Sequence, residues 1–272
     1  MKQVELHHGA ATDVGLVREV NEDAYLAAPP VFVVADGMGG HEGGDVASGI
    51  VVEEFGRLAE SGYDPRRGVE AVTATLAACA ERIGEYAGRQ RARGVARSAG
   101  TTVVVALLVE DDEGPTWLLA NLGDSRIYRY ADQRLVQVSV DHSLVQELID
   151  AGRIAAQEAA THPERNVITR ALGDSTGGDP DFFVVPLAQA ERLLLCSDGV
   201  SGMVSHEELE EILAGCADPR KAADRLVAAA VAAGGEDNAT AVVVDVVGLV
   251  AESTYDSERQ RASLEQKLGA LP

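Results

Sequence analysis

The sequence predicts a layered fold of α-helices and β-strands in which the strands pair mainly antiparallel. Two observations lead to this prediction. Apolar, β-branched runs of strand length recur along the 272 residues, and the helical patterns fall between them in pairs. Strict alternation of strand and helix would instead indicate a parallel sheet. No internal repeat or low-complexity linker divides the chain, so residues 1–250 are expected to form one domain, followed by a charged tail over 251–272.

The strands are predicted from runs rich in Val, Leu, Ile and aromatic residues. A short strand is expected after Glu22 and Asp23, and Gly123-Asp124 predicts a turn joining two antiparallel neighbours, 117–121 and 126–130. The six clearest runs are Val31–Ala35, Thr102–Val109, Trp117–Ala120, Arg126–Tyr130, Leu193–Cys196 and Thr240–Val247.

Helices are predicted where apolar residues recur with helical spacing between start and stop signals. Pro219 suits a first helical turn, and Gly152 and Gly234 directly follow the predicted ends at Ala151 and Ala233. The predicted helices are Asp45–Glu60, Arg66–Arg93, Ser143–Ala151, His206–Ala214 and Pro219–Ala233. Between Gly152 and Pro186 the sequence becomes polar and glycine-containing, which predicts an excursion from the sheet. The charged end from about Glu252 is expected as a loose helix.

Composition excludes several classes of protein. Acidic residues outnumber basic ones 44 to 23, and the net charge of −21 argues against general binding to nucleic acid or to anionic membranes. No apolar run approaches the roughly 18 residues of a membrane span, and the N-terminus has no apolar core of a secretion signal. Three cysteines without a C-x-x-C pair fit neither a disulfide framework nor a structural zinc site. A cytoplasmic protein is therefore predicted.

Acidic residues recur where strand-like runs begin or end. Each case alone fits an ordinary turn, but several carboxylates at strand ends can converge on one rim of a sheet. The positions are Asp36 in VFVVADG, Asp124 in WLLANLGDSR, Asp198 in LLLCSDG, Asp237 in GEDNATAVVVDV, and the pair Glu22-Asp23 in REVNEDAY. Only Arg18 and Arg126 lie close by to offset their charge. Mg²⁺ or Mn²⁺, which prefer oxygen ligands, would relieve the repulsion within such a cluster.

The glycines after Asp36 suggest two interpretations, a nucleotide-binding loop or a close approach of the backbone to a metal ion. A strand followed by glycines and a helix suggests a nucleotide-binding loop, but Gly37-x-Gly39 is followed by Glu42 where a third glycine is required. The aspartate at the strand tip would also repel a pyrophosphate. The glycines more plausibly allow the backbone to approach a metal ion, with the Gly37 carbonyl as a ligand.

Taken in order, these motifs resemble the PP2C (PPM) family of metal-dependent serine/threonine protein phosphatases, and most closely its compact bacterial members. The resemblance runs from about residue 8 to 247. It is carried by Arg18-x-x-Asn21-Glu22-Asp23, Asp36-Gly37-Met38-Gly39-Gly40-His41, Gly100-Thr101-Thr102, Gly123-Asp124-Ser125-Arg126, Asp141-His142-Ser143, His162-Pro163, Ser197-Asp198-Gly199 and Glu236-Asp237-Asn238.

The resemblance implies a four-layer αββα sandwich, two antiparallel β-sheets flanked by helix pairs. It also implies two Mn²⁺ or Mg²⁺ ions, possibly three. Asp36 would bridge two ions, Asp198 and Asp237 would complete one, and the Gly37 carbonyl would serve the other. Glu22 and Asp23 would hold metal-bound waters, Asp124 with Asp198 a third ion, and Arg18 the substrate phosphate.

The chemistry implied by the resemblance is hydrolysis of phosphoserine and phosphothreonine by a hydroxide bridging the two ions. Many eukaryotic relatives carry a histidine directly after the Asp-Gly pair, where this sequence has Met38. His41, three residues later, either protonates the leaving oxygen, binds substrate or caps the following helix, and a metal-bound water is the alternative acid. Cys196 is interpreted as a buried strand residue and not as a nucleophile.

The segment from Gly152 to Pro186 falls where family members carry a flap beside the active site. It is either a substrate-recognition loop or an ordinary surface loop. Asn166 and Arg170 either contact a phosphopeptide or tie the flap down. His142 and His162, near this region, are expected to be structural hydrogen-bonding residues and not metal ligands.

Three functions are therefore considered. The first is an active protein phosphatase that reverses a serine/threonine kinase. The second is a catalytically silent binding or regulatory module of the same fold, which would be expected to lack metal ligands. The third is a small-molecule phosphatase, which an aromatic-lined pocket would favour, although aromatic residues make up only 4% of the chain.

Overall fold

The computed structural model describes residues 3–39, 43–93, 99–159, 161–173 and 177–250. The strands within these ranges are β1 (Gln3–Asp13), β2 (Asp23–Ala28), β3 (Val31–Met38), β4 (Gly100–Thr101), β5 (Val103–Asp111), β6 (Gly114–Leu122), β7 (Arg126–Ala131), β8 (Arg134–Gln137), β9 (Asp181–Pro186), β10 (Arg192–Cys196) and β11 (Ala239–Val250). The helices are α1 (Gly44–Ser61), α2 (Gly68–Ala92), α3 (Leu144–Asp150), α4 (Ala156–Ala159), α5 (Asp198–Ser201), α6 (His206–Gly215) and α7 (Pro219–Ala232).

The strands form two antiparallel sheets. The first has the order β1-β11-β10-β7-β8, and the second has the order β2-β3-β5-β6-β9, with the short β4 also paired to β3. Strands that are distant in sequence are neighbours in the first sheet, where β1 pairs with β11. This pairing brings the two ends of the described chain together.

Three apolar clusters separate four layers. Alternate residues of β3 divide between two of them: Val31 and Val33 pack toward α1 and α2, whereas Phe32 and Val34 pack toward the other sheet. The third cluster lies between the first sheet and α6 and α7, and includes Leu209 and Leu226. The fold is therefore an αββα sandwich, and the predicted fold class is confirmed.

The predicted helices form, and their ends follow local rules. Helices α1 and α2 match the first predicted pair, and a short 3₁₀ turn over Pro65–Arg67 precedes α2. The side chains of Ser143, Ser205 and Asp218 accept hydrogen bonds from the first turns of α3, α6 and α7. None of the helices in the described residues combines the length and apolar character that crossing a bilayer requires.

The predicted turn at Gly123-Asp124 is wrong as a hairpin. Strand β6 pairs with β5 and β9, whereas β7 pairs with β10 and β8 in the opposite sheet. The chain crosses between sheets here because the inward-facing side chains of β6 and β7, such as Trp117 and Ile127, pack against each other across the central layer. A Cβ on Gly123, whose φ is +118°, would collide with Thr102 of the chain beside it.

The predicted excursion is wrong over its last six residues. Asp181–Pro186 forms β9, which pairs with β6 along its whole length, and the polar segment before it leads from the first sheet, which contains β8, to the second sheet. The strands β1, β4 and β8 were not predicted. They are an edge strand with a mixed polar sequence and two strands of only two and four residues, so periodicity gives little signal. The predicted helix from Glu252 and the tail 251–272 lie outside the described residues.

Candidate metal centre

The acidic residues come together where corresponding ends of the two sheets meet. Asp23 begins β2 and lies directly opposite Asp36 of β3 in the antiparallel register. From the other sheet, Asp198 opens α5 and is separated from β10 by one residue, and Asp237 is separated from the start of β11 by one residue. Asp124 lies in the link that crosses between sheets. Sequence positions 23 to 237 are thus brought to one rim, as the strand-end positions predicted.

Burial and mutual repulsion raise the pKa values of four of the carboxyls, those of Asp23, Asp36, Asp124 and Asp198. Burial raises the pKa of Asp36 well above its usual value, and the charges of Asp23, Asp198 and Asp124 raise it further. Burial is also the main cause that raises the pKa of Asp23 to about 7 and that of Asp124 to about 8. Burial and then Asp237 raise the pKa of Asp198. The charges of Arg126 and Arg18 lower the pKa of Asp198, but they do not outweigh burial and the neighbouring acids.

Three buried oxygen atoms of this cluster have no hydrogen-bond partner: Asp23 Oδ1, Asp124 Oδ1 and Asp198 Oδ1. Unpaired buried carboxylate oxygens are costly unless a cation or donor completes them. The carboxyl groups of Asp36 and Asp198 lie close enough to affect each other's pKa. The donor set consists of oxygen alone, so the residues present fit Mg²⁺ or Mn²⁺.

The cluster is not a closed ligand shell as it stands. Across the described residues, no group of three His, Cys, Asp or Glu side chains is already arranged to enclose an ion. Asp237 Oδ2 accepts a hydrogen bond from the Arg18 guanidinium at 2.8 Å.

The backbone around Gly37 is packed too closely for a side chain. A Cβ on Gly37 would overlap the Gly44 carbonyl at the start of α1, and the Gly37 amide donates to the Glu22 carbonyl at 3.2 Å. The Ser48 hydroxyl of α1 donates to the same Glu22 carbonyl at 2.6 Å. These contacts hold β3, α1 and the Glu22 segment together, and burial followed by the nearby Asp45 raises the pKa of Glu22.

Hydroxyl residues for which the sequence predicts no role hold the acids in place. Ser197 Oγ donates to Asp23 Oδ2 at 2.8 Å and accepts from the Thr240 amide at 3.0 Å, which links the two sheets. The Thr102 amide donates to the Asp36 carbonyl at 2.9 Å, and Thr102 Oγ1 lies 2.7 Å from Ser125 Oγ. The one feature of the sequence that could identify these residues is their position, because each lies directly beside an aspartate in the chain or opposite one in the sheet.

Arg126 is paired with Asp141, an acid outside the cluster. Its guanidinium binds Asp141 in a bidentate ion pair, with the shortest distance, 2.7 Å, from Nη2 to Oδ2. It lines a cavity of about 320 Å³ together with Asp124 and Asp198, and Asn166 lies on the wall of this cavity. The structure therefore places Asn166 beside the acids.

Arg170 is engaged elsewhere. Its Nη1 atom lies 3.4 Å from Asp181 Oδ1 and 3.3 Å from His142 Nε2. The Gly123 amide donates to His142 Nδ1 at 3.2 Å, so His142 joins the start of β9 to the link that carries Asp124. Of the two alternatives, this geometry corresponds to tying the flap down.

The remaining residues considered in the sequence are His41, Cys196 and His162. His41 lies outside the described residues, so its position is not part of this geometry. Cys196 is fully buried in β10, and burial raises its thiol pKa to about 12, which fits a packing residue and not a nucleophile. His162 accepts a hydrogen bond from the Glu164 amide.

Comparison with known proteins agrees with this geometry. Residues 17–244 match the sequence profile of the family described as protein phosphatase 2C. The serine/threonine phosphatase stp of Listeria monocytogenes is 35% identical over 255 residues, covering 88% of this chain and 96% of that protein. The serine/threonine phosphatase PstP/Ppp of Mycobacterium tuberculosis superposes with a TM-score of 0.79 at 35% identity, over 90% of this chain and 99% of that one.

A second structure bears on the cations. The catalytic domain of the serine threonine protein phosphatase PstP in complex with two manganese ions matches with a TM-score of 0.79 at 34% identity, over 90% of this chain and 100% of that one. The acidic rim, the αββα layers and the profile match over most of the sequence lead to one conclusion: this chain belongs to the protein phosphatase 2C family.

Proposed function

We propose that this protein is a divalent-metal-dependent phosphatase that hydrolyses phosphoserine and phosphothreonine in proteins. The observation that carries the proposal is the buried carboxylate rim with three unpartnered oxygens, in a chain of the family whose relatives are named serine/threonine phosphatases. We further propose that residues 1–250 form the catalytic domain and that 251–272 are an appended tail.

The rim residues are proposed as the metal ligands. Asp36 would bind two cations, Asp198 and Asp237 would complete one site, and the Gly37 carbonyl would serve the other. Glu22 and Asp23 would hold bound water, and Asp124 with Asp198 would form a third, weaker site. The bound cations supply positive charge that lowers the pKa of water and offsets charge on the phosphoryl oxygens.

Arg18 is proposed to bind the substrate phosphate. Its guanidinium is about half exposed and already lies at the rim, paired with Asp237. Asp237 would hold a cation, and the planar fork of Arg18 would supply two parallel hydrogen bonds to phosphoryl oxygens. Asn166, on the cavity wall beside Asp124, is proposed as a further substrate contact. Arg170 is proposed to act on substrate binding through the flap that it ties to β9.

The proton for the leaving serine or threonine oxygen has two candidate sources, His41 and water. Two substrates with different leaving groups distinguish these proton sources, because an alkoxide needs protonation far more than a nitrophenolate does. If His41 is the acid, His41→Gln lowers kcat for a phosphothreonine peptide much more than for p-nitrophenyl phosphate. An equal effect on both substrates would assign the proton to water.

The physiological setting is proposed from chemistry. Phosphoproteins require a kinase to form them, so a cognate serine/threonine kinase is the expected partner. All three cysteines are free, which is typical of a reducing compartment and supports a cytoplasmic location. Either Mn²⁺ or Mg²⁺ suits the oxygen donors.

A catalytically silent module is not favoured, because the ligand residues Asp36, Asp124, Asp198 and Asp237 are all present. The experiment that tests the proposed substrate class compares kcat/KM for matched phosphothreonine and phosphotyrosine peptides and a small phosphate ester in Mn²⁺. The proposal predicts preference for the phosphothreonine peptide. Faster turnover of the small ester than of any phosphopeptide would favour the small-molecule alternative.

A further inference from the structure

An exposed apolar surface surrounds the arginine at the mouth of the site. Residues 14–20, the arginine loop, connect β1 to the Glu22 segment and carry three apolar side chains beside Arg18. Leu16 is 70% exposed, Val17 is 67% exposed and Val20 is 55% exposed. Single exposed apolar residues are ordinary, but Leu16 and Val17 are the two most exposed large apolar side chains in the part of the chain that the structure describes.

The loop backbone is fixed, so the exposure is built into the fold. Asn238 Nδ2 donates to the carbonyls of Val14 at 2.9 Å and Val20 at 3.0 Å. The Leu16 amide donates to the Gly235 carbonyl at 2.7 Å. Gly15 has a φ of +79°, and a Cβ there would collide with the Asp237 carbonyl. The loop is thereby bound to the segment that carries the proposed metal ligand Asp237.

This anchoring places the apolar side chains within reach of a bound substrate. Arg18 contacts Asp237, and the charge of Asp36 also acts on the Arg18 guanidinium. Consecutive residues are 3.8 Å apart, so Val17 and Leu16 lie on the same short segment as Arg18, the residue proposed to bind the phosphate. Carboxylates line the other side of the site, which disfavours acidic flanking residues.

We infer that the arginine loop selects phosphoprotein substrates by contacting apolar residues adjacent to the phosphorylated serine or threonine. The inference rests on the proposed phosphatase function and assigns it a substrate preference. Leu16 and Val17 act as specificity residues. When the flanking residues of the substrate cover these side chains, their apolar surface is removed from water, which favours binding. Their contribution appears in kcat/KM for peptides and not in the turnover of an ester that has no flanking residues.

The test uses three phosphothreonine peptides that differ only in the two residues flanking the phosphothreonine, which are Leu, Asn or Asp. The full-length protein, the double variant Leu16→Asn/Val17→Thr and the control Val184→Thr are assayed with Mn²⁺. Val184 is 61% exposed on the edge strand β9, outside the loop, and undergoes the same Val→Thr change. Turnover of p-nitrophenyl phosphate measures the reaction centre separately.

The unsubstituted protein is expected to prefer the Leu peptide over the Asn peptide by at least about five-fold in kcat/KM, about 1 kcal/mol, and to use the Asp peptide least. The double variant is expected to reduce the Leu preference to below about two-fold, while Val184→Thr retains it. Equal use of the Leu and Asn peptides, or a preference that survives the double variant, would overturn the inference alone. Absence of turnover of all three peptides and of p-nitrophenyl phosphate would instead contradict the proposed function.

A second copy of the chain is the competing occupant of this surface. Sedimentation of the same proteins distinguishes it from substrate. The inference predicts that the double variant leaves the oligomeric state unchanged. A dimer that the double variant converts to a monomer, with peptide preference unaffected, would assign the loop to a contact between copies.

Discussion

Without bound metal, the folded protein is expected to lose stability as pH rises. This loss originates in the buried carboxyls of the rim. Burial raises the pKa of Asp23 to about 7 from an ordinary value of 3.8. The folded state therefore binds a proton more tightly than the unfolded state, and the stability that this proton contributes is lost as pH rises from about 4 through 7. The full difference corresponds to about 4 kcal/mol.

The expected effect over an accessible pH range is smaller. Between pH 6 and 8, a carboxyl with a folded pKa of 7 loses about 1.4 kcal/mol of stabilisation, and Asp124, with a pKa of about 8, loses about 2 kcal/mol. For a chain of this size, the combined loss of about 3–4 kcal/mol lowers Tm by roughly 6–15 °C. Added Mn²⁺ or Mg²⁺ at pH 8 supplies the missing charge, so Tm is expected to recover by at least as much.

Thermal unfolding followed by circular dichroism measures this effect in EDTA-treated protein at pH 6 and pH 8, with and without added cation. In Asp23→Asn, an uncharged side chain replaces one buried carboxyl, and the fall in Tm between the two pH values is expected to be smaller. Asp224→Asn, an exposed acid on α7, is the control and should behave as the unsubstituted protein. A Tm that does not fall between pH 6 and 8, or that cations do not raise, would refute the argument.

Further predictions concern single side chains. Asp36→Asn is expected to lower phosphate release by more than about 100-fold, because the variant loses a carboxylate proposed to bind two cations; activity close to normal would contradict that assignment. Arg18→Lys is expected to lower kcat/KM for a phosphopeptide about ten-fold or more, since a point charge replaces the planar fork, while calorimetry shows unchanged metal binding; weakened metal binding would make Arg18 a structural residue. Arg126→Met is expected to lower the free energy of unfolding by about 3 kcal/mol, because the largely buried side chain of Asp141 loses its ion pair and keeps only the hydrogen bond from Gln137. In urea titrations, the double variant Arg126→Met/Asp141→Leu should recover most of this loss, and failure to recover it would mean that packing dominates.

The layered fold and the acidic rim could be predicted because they depend on local signals. The β-branched runs and helical periods lie in continuous stretches, and each aspartate follows or precedes a strand. Which sheet a strand joins is not a local property. Trp117–Asn121 and Arg126–Tyr130 have the pattern of a hairpin, yet the central core is filled only when β6 and β7 lie in opposite sheets. Strand β9 was likewise hidden by the polar segment that precedes it.

The site residues beyond the acids were harder to identify because their roles arise from long-range pairing. Ser197 contacts Asp23 across 174 positions of sequence, and Asn238 fixes both ends of the arginine loop. Arg170 and His142 were considered near the flap, but their contacts with Asp181 appear only when β9 joins the sheet. Residue type suggested chemistry at these positions, and topology determined the partners.

The most direct test of the central claim is phosphate release from a phosphothreonine peptide by the unsubstituted protein and by Asp198→Asn, in Mn²⁺ and again after excess EDTA. The proposed mechanism predicts turnover that requires the cation, disappears with the chelator and falls steeply in the variant, because Asp198 joins two of the proposed cation sites. Turnover that persists in EDTA, or no turnover by a folded, Mn²⁺-bound protein, would contradict it.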